Sequence, residues 1–377
     1  VAVIDAMGEH DSIESIQESG CAILAVLSSS GSVQVNLCIV ENEGIDVLVN
    51  TLAVFSANKK IVMDVCATFS RLSVDQESRM LISAQGGLTL IVNAVNSCRD
   101  DVKVLEVVCS ALLSLSADAD ERAMLNSSIV QDVVTAMRFN PDADQFQIKA
   151  LGILHSLSRR SVAAKHAIVN AKGINVVLTV IKEHMGSADS ADVLDRAFTA
   201  LWSLASMEKN QVEISRLGGI VLIVNGMMAN IYYSHVQTQG CRCLCTLSSN
   251  SENKMWIREA GGVDAIVFAM RAHYDSEVLQ SEACRTLSNL AVDIQTNEVM
   301  IATDGEIDAI ISALRLFPNS TKLQEHACVA LRNFMLSPNN TDLIKTKSSE
   351  LRRLMIHASN RFPEKCNDKV NQILASL

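Results

Sequence analysis

The sequence predicts an all-α solenoid, and three observations carry that expectation. A pattern of apolar residues returns at intervals of 42 to 46 residues along the whole chain. Within each interval those residues fall at helical spacing. The composition is 49% apolar but only 4% aromatic, so the core must be built from Leu, Ile, Val, Ala, Met and Cys, which suits small stacked helices.

The best-kept copy runs from Gly261 to Ala291. Val263, Ile266, Val267 and Met270 stand at i, i+3, i+4 and i+7, the stripe of an amphipathic helix opened by Gly261 and Gly262. This is the second helix of the repeat. Ala283, Cys284, Leu287 and Leu290 form another stripe, with Gln280 and Glu282 opening its polar face, and define the third helix. Upstream, Asn253 to Glu259 around Ile257 reads as a short first helix, with Asn250 or Ser251 as its cap. Each repeat therefore holds three helices in about 43 residues.

With Val263 as place zero, the equivalent residues are Ile45, Leu88, Val130, Ile174, Ile220, Ile307 and Leu351. Repeats start near 45, 88, 130, 174, 220, 263, 307 and 351, and an earlier copy has lost its start. Places three, four and seven are apolar in all nine copies, from Val3, Ile4 and Met7 to Leu354, Met355 and Ala358. The last anchor of the third helix follows as Leu27, Leu72, Leu115, Leu157, Leu247, Leu290 and Phe334. Leu204 comes later in its repeat, which places a three-residue insertion in the connection Met185 to Ala191. Gly44, Gly87, Gly173, Gly219 and Gly262 precede second helices, where a tight turn calls for a residue able to take positive φ. Length alone would suggest two or three domains, but repeats pack on their neighbours, so residues 1–377 read as a single array of about nine repeats, the first and last incomplete. Both ends fall inside repeats without polar caps, and the expectation is a piece of a longer protein.

The formal charge of −10 argues against bulk nucleic-acid or anionic-membrane binding. No apolar run reaches the roughly 18 residues of a membrane span. Eleven cysteines without framework spacing point to a reducing compartment, and the expected location is cytoplasmic, with the nucleus also open. Cys21, Cys66, Cys109, Cys241, Cys284 and Cys328 share one register in the third helix, as buried packing residues do. His10, His184 and His273 share another, at the end of the second helix, where an imidazole can meet free carbonyls. Trp256, beside Ile257, reads as first-helix packing. No zinc spacing, Walker loop or nucleophile motif occurs, so the expectation is a non-enzyme without catalytic residues, metal or cofactor.

The order of a short first helix, a Gly-Gly-led second helix and a Q-x-x-A-x-x-x-L-x-N-L third helix, seen in Gln280 to Leu290, resembles the armadillo repeat over essentially the whole chain. The leading glutamine recurs at Gln17, Gln147, Gln237, Gln280 and Gln324; the asparagine survives only as Asn289 and Asn333. The resemblance implies a right-handed superhelix whose third helices line a concave groove, acting as a monomeric protein-interaction scaffold.

Places one, five and eight before each anchor face away from the leucine stripe. The basic residues there are Arg71, Lys149, Arg196, Arg242 and Arg285, and the acidic ones Asp64 and Glu282, so 5 − 2 gives +3 on a chain of −10. These charges read either as ordinary solvated surface or as a basic groove for an extended acidic partner. Lys149, Arg196, Arg242 and Arg285 occur once per successive repeat, as a stripe requires, and Trp202 lies at its edge. Importin-alpha-like carriers show a tryptophan four residues before the ladder asparagine; here that place holds Arg242 and Arg285 in two repeats and no tryptophan in any. The charge pattern is closer to a beta-catenin-like or vacuolar-protein-like array. Partner-binding candidates are therefore Lys149, Arg196, Arg242, Arg285, Asn289, Asn333, Arg71 and Trp202, with the asparagines on a ligand backbone and the arginines on carboxylates or phosphates. The alternative is a substrate-recruiting or regulatory segment of a larger enzyme such as a ubiquitin ligase or kinase.

Overall fold

The computed structural model describes residues 1–116, 128–186, 190–293, 298–300 and 302–377. Among them are 24 helices, in the repeating order short first, second, third. The chain divides into two compact units, Val1–Val180 and Ile181–Leu377. In the first unit, the third helices Glu14–Ser29, Lys59–Leu72, Val102–Leu115 and Asp144–Arg160 pack each on the next. In the second unit, Ala191–Leu204, Ser234–Leu247, Glu277–Leu290, Thr321–Phe334 and Pro363–Ser376 do the same. The fold is the all-α armadillo solenoid. Its core is the register read from the sequence: Leu72, Leu115, Leu204, Leu247, Leu290 and Phe334 are buried, whereas Leu27 stays 43% exposed.

The glycine turns differ from the expectation by one residue. Positive φ belongs to the residue before each expected glycine: Glu43 (60°), Gly86 (84°), Lys172 (63°), Gly218 (79°) and Gly261 (77°). Gly44, Gly87, Gly173 and Gly262 are needed for another reason. A Cβ at Gly173 would stand 2.4 Å from Ile168 Cγ2 and 2.8 Å from the Ile168 carbonyl oxygen, and Gly44, Gly87 and Gly262 meet Ile39, Ile82 and Ile257 in the same way. The second helix starts in contact with the backbone of the first. Gly173→Ala is expected to cost on the order of 2–3 kcal/mol, because one collision partner is main chain and cannot rotate aside. A denaturation midpoint unchanged in that variant would contradict this packing.

The third helices hold the second ones by a recurring side-chain clamp. Gln17, Gln147, Gln237, Gln280 and Gln324 are all buried. Each Nε2 donates to the carbonyl ten residues back, on Met7 (2.7 Å), Met137 (3.0 Å), Met227 (2.8 Å), Met270 (2.7 Å) and Leu314 (2.9 Å). Each donates also to the carbonyl seven back, on His10, Asn140, Asn230, His273 and Phe317, at 2.8–3.0 Å. The end of a helix leaves carbonyls without intrahelical donors, and one glutamine serves two of them. A similar device joins the third helix to the next first helix: Asn210, Asn253 and Asn340 donate to the carbonyls of Leu204 (2.8 Å), Leu247 (3.0 Å) and Phe334 (3.0 Å).

One repeat departs from the three-helix pattern. The first helix expected before Asp304–Leu316 is replaced by an antiparallel ladder pairing Val292 with Val299 and Asp293 with Glu298. Asn340 fixes the chain that follows, donating to the Met300 carbonyl at 2.7 Å and accepting the Ala302 amide at 2.8 Å. The paired residues Val292 and Val299 are β-branched, a side-chain type that favours extended backbone over a short helix.

Asn250 caps the helix Ser251–Glu259 by accepting the Asn253 amide at 3.2 Å, which decides between the two candidate caps. The six cysteines of the shared register are fully buried, and all eleven thiols are free. Burial pushes the Cys21, Cys109 and Cys284 thiols up to about 12, leaving them protonated and inert. His273 hydrogen bonds through Nε2 to the Ile231 carbonyl of the preceding repeat at 2.7 Å, while His184 is buried at the end of Gly173–His184 and His10 is exposed. Trp256 is not the packing residue expected, since 37% of it stays exposed. Of the insertion Met185 to Ala191, residues 187–189 lie outside those described.

Candidate functional site

The expected site residues fall into two sets, one in each compact unit. Arg71 and Lys149 lie in the first unit, both half-buried. Arg196, Trp202, Arg242, Arg285, Asn289 and Asn333 lie in the second, where Arg196 is exposed and the rest half-buried.

Three of them share a role that the sequence reading missed. Arg71, Asn289 and Asn333 each stand one residue before an anchor, and each reaches back to the preceding third helix. Arg71 Nη1 donates to the Ala25 carbonyl at 2.8 Å, Asn289 Nδ2 to that of Cys245 at 3.3 Å, and Asn333 Nδ2 to that of Ser288 at 2.9 Å. The acceptor is in every case two residues before its own anchor. Ser114, at the same place, pairs with Ser70 at 3.3 Å. The signal was present in the sequence as a polar residue at one register position in repeat after repeat. Asn333 Oδ1 also accepts from Arg332, whose Nη2 is 2.6 Å away. These side chains brace repeat against repeat before they can serve a ligand.

Trp202, Arg242 and Arg285 are brought together on three consecutive third helices. The Arg242 guanidinium lies over the Trp202 ring, 5.6 Å from its centroid. Its Nε donates to Glu282 Oε1 at 3.1 Å and its Nη1 to Gln239 Oε1 at 3.3 Å. Arg285, one turn beyond Glu282, brings Nη2 to 2.7 Å from the other carboxylate oxygen. That contact is an ion pair by distance without the alignment of a hydrogen bond, and Glu282 Oε2 and Arg285 Nε are both buried without a hydrogen-bond partner. Two arginines and one glutamate leave the cluster at +1. Nearby, burial pushes the Asp195 carboxyl up from its ordinary value, against the pull of His235, Arg196 and Arg242. On the far side of Arg285, burial holds His326 below the usual imidazole range, and its Nδ1 sits 3.2 Å from the Ser281 carbonyl oxygen.

In the first unit the third-helix face has a different character. Glu18, Lys60, Met63 and Asp64 line a notch there; Lys60 Nζ pairs with Glu18 at 2.9 Å. Burial and the neighbouring Glu18 push the Asp64 carboxyl up.

A family model described as the GAC ARM domain matches residues 17–300. The chain belongs to the GAC ARM domain family. Solved structures agree on the fold. A chain from work on a conserved phosphorylation switch that controls the interaction between cadherin and beta-catenin aligns at 17% identity and a TM-score of 0.73, covering 100% of this chain and 70% of the other. An engineered protein aligns at 19% identity and a TM-score of 0.68, over 100% and 98% of the two chains. A second engineered protein matches 65% of this chain at 19% identity and a TM-score of 0.57. No curated protein sequence matches significantly. Armadillo arrays are protein-interaction scaffolds, presenting long surfaces built from many short helices, and this GAC ARM chain is one of them. Among the described residues no group of three or more His, Cys, Asp or Glu side chains could hold a metal ion. No single described helix is long and apolar enough to cross a membrane.

Proposed function

We propose that this GAC ARM chain is a non-catalytic cytosolic scaffold whose second unit receives an extended acidic segment of a protein partner on its third-helix face, at Trp202, Arg242 and Arg285. The observation that carries this reading is the pair of partly exposed guanidiniums on neighbouring third helices, with Arg242 laid over an indole. Tryptophan and arginine are among the residue types enriched at the energetic centres of interfaces, and a guanidinium fork matches a carboxylate or phosphate better than a lysine does. The cluster is positive on a chain of −10, so a lysine-rich segment would meet repulsion there. The Asn333 amide has a second hydrogen beyond the one given to Ser288, which it can offer to a ligand backbone, whereas Asn289 Nδ2 also lies 3.4 Å from Ser248 Oγ and would have to give up that contact to do the same. Beta-catenin, of the same fold, has an interaction with cadherin controlled by a phosphorylation switch, which supports a partner whose negative charge matters. Eleven free thiols, ten of them buried, support a reducing location.

The test is a titration of the whole chain with two labelled peptides of equal length, one rich in glutamate and one rich in lysine, at low and at physiological salt. The acidic peptide is expected to bind, more weakly as salt rises, because exposed charges are screened over ~8 Å at 0.15 M. Binding of the basic peptide alone, or of neither, would contradict the reading.

A further inference from the structure

Glu282 occupies the place between Arg242 and Arg285 that an incoming carboxylate would take. Of the three side chains it is the least exposed, 18% against 26% for Arg242 and 37% for Arg285, so the arginines face the solvent more than their counter-ion does. We infer that Glu282 is a built-in competitor for the acidic partner, an intramolecular anion that lowers the affinity of this face and restricts it to segments with closely spaced negative groups. The inference rests on the reading that the face binds acidic segments.

The hydrogen bonding supports an arrangement made to be exchanged. Glu282 takes the Nε edge of Arg242, one of the edges through which a guanidinium grips an incoming carboxylate with two parallel bonds. Its second oxygen and Arg285 Nε remain buried without hydrogen bonds, and an under-satisfied buried pair is costly to keep. A single ligand carboxylate would replace Glu282 on the same donors and gain little. Two adjacent carboxylates, or one phosphate, bring more charge than the resident glutamate and can hold both arginines while Glu282 turns away. A tethered competitor acts at an effective concentration of roughly millimolar, so its removal has a measurable consequence.

The opposite role is also definite. If Glu282 held the guanidiniums in place for the ligand, its loss would weaken binding. The sign of the effect therefore decides. The experiment measures affinity of the full chain for a labelled glutamate-rich peptide at low salt, in wild type, Glu282→Gln, Glu282→Ala and Arg242→Gln/Arg285→Gln. The expected result is about tenfold tighter binding by both glutamate variants, a gain that shrinks at high salt. The alanine variant is included because it also leaves the arginines without the glutamine amide. Equal or weaker binding by both, in a chain whose binding still needs the arginine pair, would overturn the inference and leave the acidic-partner reading standing. Binding that ignores the arginine pair, or no binding by any variant, would overturn both.

Discussion

Gln324→Leu is expected to lower the stability of the second unit by about 2–3 kcal/mol, and Gln324→Glu by more. Gln324 is 1% exposed. Its Nε2 donates to the Leu314 carbonyl at 2.9 Å and the Phe317 carbonyl at 3.0 Å, at the end of the helix Asp304–Leu316. Leucine fits the volume but removes both donors, which leaves helix-end acceptors under-satisfied beside a core of Leu314, Leu323 and Ala327. Glutamate is nearly the same shape and aims a carboxylate oxygen at two carbonyl oxygens; it must take up a proton or expel itself from the core. Chemical denaturation reads both effects as a lower midpoint at unchanged slope. Equal midpoints for the glutamine, leucine and glutamate forms would show that packing alone fixes the second helix, and that the fivefold recurrence of this clamp has no energetic role.

The second large effect concerns the arginine cluster. Arg242→Glu/Arg285→Glu is expected to lose the acidic partner and to lose stability on the order of 3 kcal/mol, because it sets two new carboxylates beside the 18%-exposed Glu282, three in all, with no cation among them. Charge reversal is thus not a clean probe of binding here. The triple variant Arg242→Gln/Glu282→Gln/Arg285→Gln removes all three charges together, so that no buried ion is left unpaired, and takes the cluster from +1 to zero while leaving neutral amides that can hydrogen bond to one another. It is expected to lose at least tenfold in affinity for an acidic peptide with its denaturation midpoint held within about 0.5 kcal/mol of wild type. If affinity survived in the triple variant, the arginines would be solvated charge and the partner surface would lie elsewhere.

Much of this architecture can be read from the chain because a solenoid repeats its own evidence. Places three, four and seven and the third-helix anchor fix which face of each helix is buried, and the register of Cys21, Cys66 and Cys109 as core residues follows from the same count. What escaped the count is what depends on two repeats at once. The leading glutamines were legible as a family mark, but their partners are carbonyls on another helix, and side-chain spacing does not show where a helix ends. In the same way Gly44 and Gly173 looked like the turn residues because glycine tolerates positive φ. The turn is borne by Glu43 and Lys172, while the glycines give way to the first-helix backbone. The ladder before Asp304 was missed because a missing first helix leaves the count of the other two intact.

The candidate site shows a similar division. The third-helix face and its basic members could be named from spacing, and the structure does bring Trp202, Arg242 and Arg285 into one cluster. A sum of charges, however, treats Glu282 as one acid among many, although it is shared by both arginines. The residues one place before the anchors looked equally available, and Arg71 and Asn333 turn out to hold the preceding helix.

The most direct test of the acidic-partner reading uses the protein's only two tryptophans as reporters. Trp256→Phe leaves Trp202, under Arg242, as the sole indole; Trp202→Phe leaves Trp256 on its first helix. Titrating each with an unlabelled glutamate-rich peptide at low salt is expected to give a saturable change in tryptophan emission in the Trp256→Phe variant and none in the Trp202→Phe variant, provided the latter still binds a labelled form of the peptide. A change confined to Trp256, or binding with neither indole responding, would place the partner away from the Trp202–Arg242–Arg285 cluster and contradict the reading.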